Sequence, residues 1–447
     1  MTRRLLLVAY YFPPIGGAGA QRPAKFVKHL PAHDWEVQVV APHRSAGSGP
    51  WAPFDRSLVP EVGNASVHRA SVAASEADWR PRIDGLQRWA AGAWTVARRL
   101  LERERFDAVL ITMSPFSLGH LALSIKKSIQ IPVIVDLRDP WAIDGWPTYR
   151  SQLEWRRHRS FMREVLTAVD GVIANTPTAM RRLQTETPQL APERWEVIPN
   201  GFDPEDFAGP SRRPETPCDR FVIVHTGSLH STELYPPSGV VAAAKRRMRY
   251  RAEPILPEGR TLRFLLEAIR QLRDTGHPAG ANASVRCIGV TDAATQRSVD
   301  ESGVSNQVEL LGYRPHDDSV RELMRANLLF LPLHGYADPR RRSLIVPGKT
   351  YEYLASGRPI LACLPPGDAY DLVARSGRGF FANPTDSASI RDAIALAYDS
   401  RDTAETSSLR CGDWLGEFER SSLTGRLAAF LERTAVHHSG RAVASCS

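Results

Sequence analysis

Cysteine is scarce in this chain: Cys218, Cys287, Cys363, Cys411 and Cys446 are all it has in 447 residues, and no two form a CxxC pair. That scatter argues against a zinc knuckle, a metal cluster or a disulfide framework, and it fits a reducing cytoplasm. Long apolar runs are missing too. No stretch reaches the roughly 18 apolar residues that a spanning helix needs, so no transmembrane segment is expected. The opening MTRR followed by LLLVAYYF imitates a short signal peptide, but two prolines follow at once and no small-residue cleavage site appears. It reads as a first buried strand. No triad of His, Asp or Glu stands at ligand spacing, so no metal is expected.

What the chain does have is apolar mass and a surplus of cations. At 43% apolar and 24% charged it is long enough for two domains. The 57 Lys and Arg outnumber the 49 Asp and Glu, giving +8 at pH 7. Such a surplus suits phosphorylated or nucleotide-linked substrates, and equally loose peripheral contact with an anionic membrane face. Nucleic acid is not expected as a partner: KRRMRYR at 245–251 and DPRRR at 338–342 are short and lack interleaved aromatic platforms.

Short apolar, β-branched runs alternate with stretches of helical spacing: RLLLVAYYF, WEVQVVAP, ASVHRA, FDAVLITM, IPVIVDLRD, VDGVIANT and WEVIPNG. After a proline-rich linker at 204–220 the pattern restarts with FVIVHTG, VRCIGV, VELLGY, LLFLPL, PILACLP and GRGFFANP, with helices at 261–274, 317–326, 348–356 and 386–398. This is an α/β chain of two Rossmann-like parallel-sheet domains, expected to face each other across a cleft. The boundaries fall at 1–207, 208–412 with an insert at about 230–260, and 413–447 as terminal helices and tail. Within the insert, 238–250 has the pattern of a short basic amphipathic helix, either a solvated face or a membrane or partner contact. The tail from Val436 reads as frayed, with His437 and His438 in solvent.

Two segments carry chemistry. The first is LLLVAYYFPPIGGAGAQR, a strand, a glycine loop and a helix start. Its Gly16, Gly17 and Gly19 do not fit the GxGxxG spacing, and the second strand ends in VVAPH without the acid a dinucleotide needs. The glycines still let backbone N–H groups approach an anion or sugar, with Arg22 as reinforcement; the alternative is a turn that merely permits packing. The second is VPGKTYEYLASGRPILACLPPG at 346–367. Pro347 and Gly348 open a helix with Lys349 in its first turn, an anion-binding end beside a long cation, and Glu352 can accept two sugar hydroxyls. Taken singly, Lys349 is also an ordinary exposed cation and Glu352 an ordinary capping carboxylate.

Taken together, YYFPPIGGAGAQR, PVIVDLRDPW, NQVELLGYRPHDDSVRELMRANLLFLPL and VPGKTYEYLASGRPILA resemble the GT-B glycosyltransferases, and within them the large retaining family 4. The resemblance implies sugar transfer from a nucleotide-diphosphate sugar, a UDP- or GDP-sugar, as substrate rather than cofactor. It implies an N-terminal acceptor domain and a C-terminal donor domain. It sets Gly16 and Gly17 against the diphosphate or transferred sugar, and Gly312, Tyr313 and Arg314 at the edge of the base pocket. It sets Glu352 on the ribose hydroxyls and the helix from Gly348 toward the diphosphate. Many relatives carry a second glutamate eight residues before Glu352, where this chain has Leu344. Relatives also often supply Arg and Lys after the first strand of the donor domain; here His225 and His230 stand there, and Arg340, Arg341, Arg342 and Lys349 are the candidates to rebuild the phosphate clamp.

The acceptor is expected to be a small molecule, a carbohydrate or a lipid-linked group. Asp139 in LRDPW, with Arg138 beside it, either orients an acceptor hydroxyl or amine as a weak base or caps the segment at 140–143. His120 either approaches the sugar or is a satisfied core histidine. Aromatic residues from Tyr10, Tyr11, Phe12, Trp51 and Phe54 to Trp79, Trp141, Trp146 and Tyr149 divide between core and ring-stacking edges. Two further readings stay open: an atypical member coupling an unusual donor to a non-hydroxyl acceptor, and a nucleotide-sugar binding protein without turnover. The expected location is cytoplasmic, with peripheral contact at the inner membrane face left open, and the expected state is monomer or homodimer.

Overall fold

The computed structural model describes residues 2–43, 53–74, 79, 81–208, 220–234, 249–401 and 413–446. Residues 235–248 of the insert, and Trp51, Cys218 and Cys411, lie outside the described residues. The chain divides into two compact units, Met1–Asn200 with Arg249–Ala252 and Arg420–Ser447, and Gly201–Met248 with Glu253–Glu419.

The first unit is a 7-stranded sheet in the order β3-β2-β1-β4-β5-β6-β7. Its strands are β1 (Arg3–Ala9), β2 (Trp35–Pro42), β3 (Ser66–Ala70), β4 (Ala108–Met113), β5 (Val133–Leu137), β6 (Gly171–Ala174) and β7 (Trp195–Val197), all paired in parallel. Between them run α1 (Ala18–His29), α2 (Gln87–Arg103), α3 (Leu118–Ser128), α4 (Gln152–Ala168) and α5 (Pro177–Glu186). Leu5 to Ala9 are wholly buried, as are all residues of β4, which is why these strands read as unbroken apolar runs rather than alternating ones.

The second unit is a 6-stranded parallel sheet in the order β11-β10-β8-β12-β14-β15. Its strands are β8 (Phe221–Thr226), β10 (Ala283–Ile288), β11 (Val308–Gly312), β12 (Leu328–Pro332), β14 (Ile360–Cys363) and β15 (Gly379–Ala382); the two-residue β9 (Ile255–Leu256) and β13 (Gly335–Tyr336) pair separately. The helices are α6 (Arg263–Asp274), α7 (Pro278–Asn282), α8 (Ala293–Asp300), α9 (His316–Arg325), α10 (Lys349–Ser356), α11 (Asp368–Arg375) and α12 (Ser387–Asp399). Successive residues of β8 serve opposite cores: Phe221 and Ile223 pack with α6 and α12, whereas Val222 and Val224 pack with α10.

The terminal segment corrects the expectation of a frayed tail. α13 (Arg420–Cys446) returns to the first unit, where Leu423, Leu427 and Leu431 join the core of β1, β2 and α1. The i, i+4, i+8 spacing puts these leucines on one stripe. Phe430 fills the space over Gly171, where an added Cβ would lie 2.9 Å from its ring. His438 is not a loose solvent residue: its Nδ1 stands 3.2 Å from Asp170 Oδ1.

Candidate functional site

In the second unit the C-terminal strand ends turn on glycines. Gly227, after β8, has φ 91° and donates its N–H to the Ile288 carbonyl at 2.7 Å. Gly289, after β10, donates to Gly312 at 2.9 Å, and a Cβ there would meet the Gly227 carbonyl at 2.3 Å. The approach is too close for any side chain. The result is a flat floor of backbone at the sheet edge where open α/β sheets take ligands.

Lys349 crosses this floor from the first turn of α10. Its Nζ would lie 3.0 Å from a Cβ on Gly227 and is 3.2 Å from His225 Nε2. No side chain caps α10 at Gly348, and among the described residues the Gly348 and Lys349 N–H groups have no backbone partner. Burial first, then the neighbouring Arg260 charge, pull the Lys349 ammonium down to about 7, against the opposing pull of Glu352 and Cys287. Burial, then Arg260, Lys349 and His334, also push His230 far below its usual range. Cations held together in a partly dry place, with a helix N-terminus beside them, are an arrangement that an anion relieves.

Arg260 is the residue that sequence reasoning missed. It closes a 3-10 turn, Pro257–Arg260, just before α6. That turn sits against the end of β12, where a Cβ on Gly259 would come within 2.8 Å of the Leu333 carbonyl. The insert hid it: more than thirty residues separate Arg260 from Gly227 in the chain, so no local spacing tied the two together. The expected arginine clamp is corrected. Arg340 pairs with Asp338, Arg341 with Glu253, and Arg342 with Asp371 and Asp368. Each guanidinium already has a carboxylate, so these side chains hold loops together and do not gather round Lys349.

Gly312 ends β11 with φ 69°, Tyr313 is exposed, and the exposed Arg314 folds its Nε back onto the Leu311 carbonyl at 3.1 Å. His316, at the start of α9, stands 2.9 Å from Asp206 Oδ2 and 4.0 Å from Glu352 Oε1. The imidazole, two residues beyond Arg314, thus lies between Asp206 and Glu352. Leu344, where relatives carry a glutamate, is buried, and the adjoining Ser343 N–H donates to the Pro366 carbonyl at 2.7 Å. That position serves packing.

In the first unit the glycine loop differs from the expectation. Gly16 donates its N–H to the Pro53 carbonyl at 2.7 Å, which removes it as an anion donor. Gly17, with φ 81°, precedes α1, which has neither a capping side chain nor an acid in its first turn. Gly19 is needed for close approach: a Cβ there would lie 2.8 Å from Arg138 Nη1 and 3.1 Å from Tyr11. Arg22 is corrected outright as an anion ligand. It forms a bidentate pair with the wholly buried Asp136, at 2.9 and 2.7 Å, and donates to the Ile198 and Pro199 carbonyls at 2.8 and 2.7 Å. Every bond ties α1 to β5 and to the chain after β7.

Arg138 donates to the carbonyls of Gly19, Met113 and Ser114, and its guanidinium lies over Tyr11. Asp139 follows it, exposed, and the 3-10 turn Trp141–Ile143 has Pro140 at its cap with no side-chain hydrogen bond. The capping alternative therefore fails, and the Asp139 carboxylate faces solvent near Tyr11. Trp141 and Ser114 flank this corner with φ 54° and 84°. Such backbone costs about 1–3 kcal/mol per residue and persists where the surroundings overdetermine it. His120 resolves as a core histidine: its Nε2 is 3.0 Å from the Pro81 carbonyl and its ring packs between Trp79 and Phe161. Burial lowers its pKa. Tyr10, Phe12, Trp141 and Tyr149 are core, whereas Phe54 is exposed.

Two parallel-sheet Rossmann-like units make the GT-B fold. Sucrose-phosphate synthase from Thermosynechococcus elongatus superposes with TM-score 0.63 at 14% identity, covering 100% of both chains. WaaG, a glycosyltransferase involved in lipopolysaccharide biosynthesis, gives 0.61 at 15% identity over 96% of this chain and 99% of its own. UDP-GlcNAc 2-epimerase from Neisseria meningitidis, bound to UDP-GlcNAc, gives 0.55 at 11% over 96% and 100%. The model of Glycosyltransferase Family 4 matches residues 22–206, and that of Glycosyl transferases group 1 matches residues 256–400. Both parts of the chain thus carry glycosyltransferase family domains. A search of curated protein sequences gives no match.

Proposed function

We propose that the protein transfers a sugar from a nucleotide-diphosphate donor to an acceptor with retention of anomeric configuration. The observation that carries this reading is Lys349 lying over Gly227 beside Arg260 at the uncapped start of α10. A diphosphate there meets two cations and free N–H groups, which stabilise the charge that grows as the anomeric carbon–oxygen bond breaks. Glu352, near His316, takes the ribose hydroxyls, and backbone at Gly312–Arg314 lines the base.

Retention follows from front-face attack. The acceptor oxygen bonds to the anomeric carbon on the side the diphosphate leaves, and its proton passes to the departing phosphate oxygen. No protein nucleophile is required. Asp139, solvent-facing on a corner pinned by Arg138, orients the acceptor. The acceptor is a small molecule, a carbohydrate or a lipid-linked group. Among the described residues no helix is long and apolar enough to cross a membrane. The proposed location is the cytoplasm, with peripheral contact at the inner membrane face as the alternative.

Thermal melts with UDP, GDP and other nucleoside diphosphates test the donor class. One base raises the melting temperature of the parent, as ligand binding to the native state must, and Lys349→Ala loses the rise. A parent unmoved by every nucleotide sinks the reading. The buried Leu344 favours a second one, in which an unusual sugar is held by other groups; consumption of one uncommon donor from a panel, with ordinary hexose donors untouched, supports it.

A further inference from the structure

His225 has no task in the donor site so far described, yet it is a polar side chain buried in the middle of the sheet. Its Nδ1 lies 3.0 Å from the Phe330 carbonyl oxygen. A carbonyl only accepts, so Nδ1 carries the proton and Nε2 keeps a lone pair. Lys349 Nζ stands 3.2 Å from that Nε2. An ammonium only donates, so towards the protonated lysine the neutral imidazole is the acceptor. Gly227 leaves the lysine stem room on the other side.

We infer that His225 is a positioning residue for the donor: its Nε2 takes one of the three Lys349 donors and fixes the ammonium over Gly227, leaving the other two for the diphosphate. This rests on the reading of Lys349 as a phosphate ligand. The charged and titratable groups round the pair are Arg260 from the 3-10 turn, Cys287 from β10, Glu352 from α10 and His230 from the loop after β8, with His334 beyond His230. Burial first, then the Lys349 charge, keeps His225 well below its usual range, so it accepts without adding a second charge. A protonated imidazole would have no lone pair to offer and would repel the ammonium.

The pair also couples donor binding to protons. With Lys349 drawn to about 7 in the free protein, part of the population lacks the ammonium proton above neutrality. An arriving diphosphate favours the charged form and draws the proton back. Binding at pH 8 therefore takes up protons.

The experiment is calorimetric titration of UDP and of GDP into the full chain at pH 8, in two buffers of different ionisation heat, with thermal melts to establish that each variant is folded. The parent binds one nucleotide with net proton uptake. Lys349→Met binds at least about ten-fold more weakly without uptake. His225→Leu binds about five- to ten-fold more weakly and raises the donor KM more than it lowers kcat. His225→Gln, which keeps a neutral acceptor of similar reach, recovers to within about three-fold. Should His225→Leu fail to fold, His225→Asn takes its place, its amide being too short to reach Nζ. If the His225 variants bind and take up protons like the parent while Lys349→Met does not, the role given to His225 is wrong and the phosphate site stands. If Lys349→Met binds like the parent, the phosphate site itself is wrong.

Discussion

Asp136→Asn separates two roles for Arg22. Arg22 is 6% exposed and Asp136 wholly buried, and they meet through two hydrogen bonds of 2.9 and 2.7 Å. An asparagine keeps the shape and one acceptor but leaves an uncompensated buried cation. Breaking such a pair from one side costs about 3–5 kcal/mol. The remaining bonds to the Ile198 and Pro199 carbonyls temper this, so about 3 kcal/mol is expected. With a urea m-value of about 2–3 kcal/mol/M, the midpoint of the first unit's transition falls by about 1–1.5 M. Tryptophan fluorescence reports it, because Trp35, Trp89 and Trp141 are buried in that unit. Nucleotide binding by the folded variant stays at the parent level, since the pair lies within one unit and the donor cluster in the other. A midpoint within about 0.2 M of the parent, or a gain in nucleotide affinity from a freed Arg22, refutes the assignment.

Asp139→Asn lowers the transfer rate by about a hundred-fold with an unchanged melt if the carboxylate orients the acceptor; activity near the parent's rejects that role. Gly19→Ala drives a methyl into Arg138 and Tyr11 and lowers transfer at least about ten-fold, while Gly63→Ala, where a Cβ meets nothing within 4 Å, leaves turnover near the parent level despite its φ of 55°. The pH dependence of stability carries the mark of Lys349. Its folded-state value of about 7 lies below the ordinary 10.5, so between them the unfolded chain binds more protons. This group's contribution to stability therefore rises as pH increases from 7 toward 10.5. Urea midpoints of the parent climb relative to Lys349→Met across that window, and parallel curves for the two proteins contradict the lowered value.

The sheets were legible because burial on both faces writes itself as continuous runs such as LLLVA and AVLITM, and the turns because glycine and proline punctuate them. α10 and its Lys349 were legible for a local reason: a proline and glycine start, a cation in the first turn, and a glycine stop at Gly357 with φ 73°. The functions given to Arg22, His120 and Arg342 were not. Each is decided by a partner far away in the chain: Asp136 for Arg22, Pro81 for His120, Asp371 for Arg342. Arg260 escaped notice for the converse reason, since its neighbours in space come from β8 and α10.

By itself, the sequence determined two parallel sheets, a family, and a glycine loop unfit for a dinucleotide, because propensity and local motif are short-range properties of the chain. Only the tertiary structure decided which cations are paired in loops and which are drawn together at the glycine floor. A charge takes its meaning from what lies within a few ångströms of it in space, and the fold brings those neighbours from anywhere in the sequence.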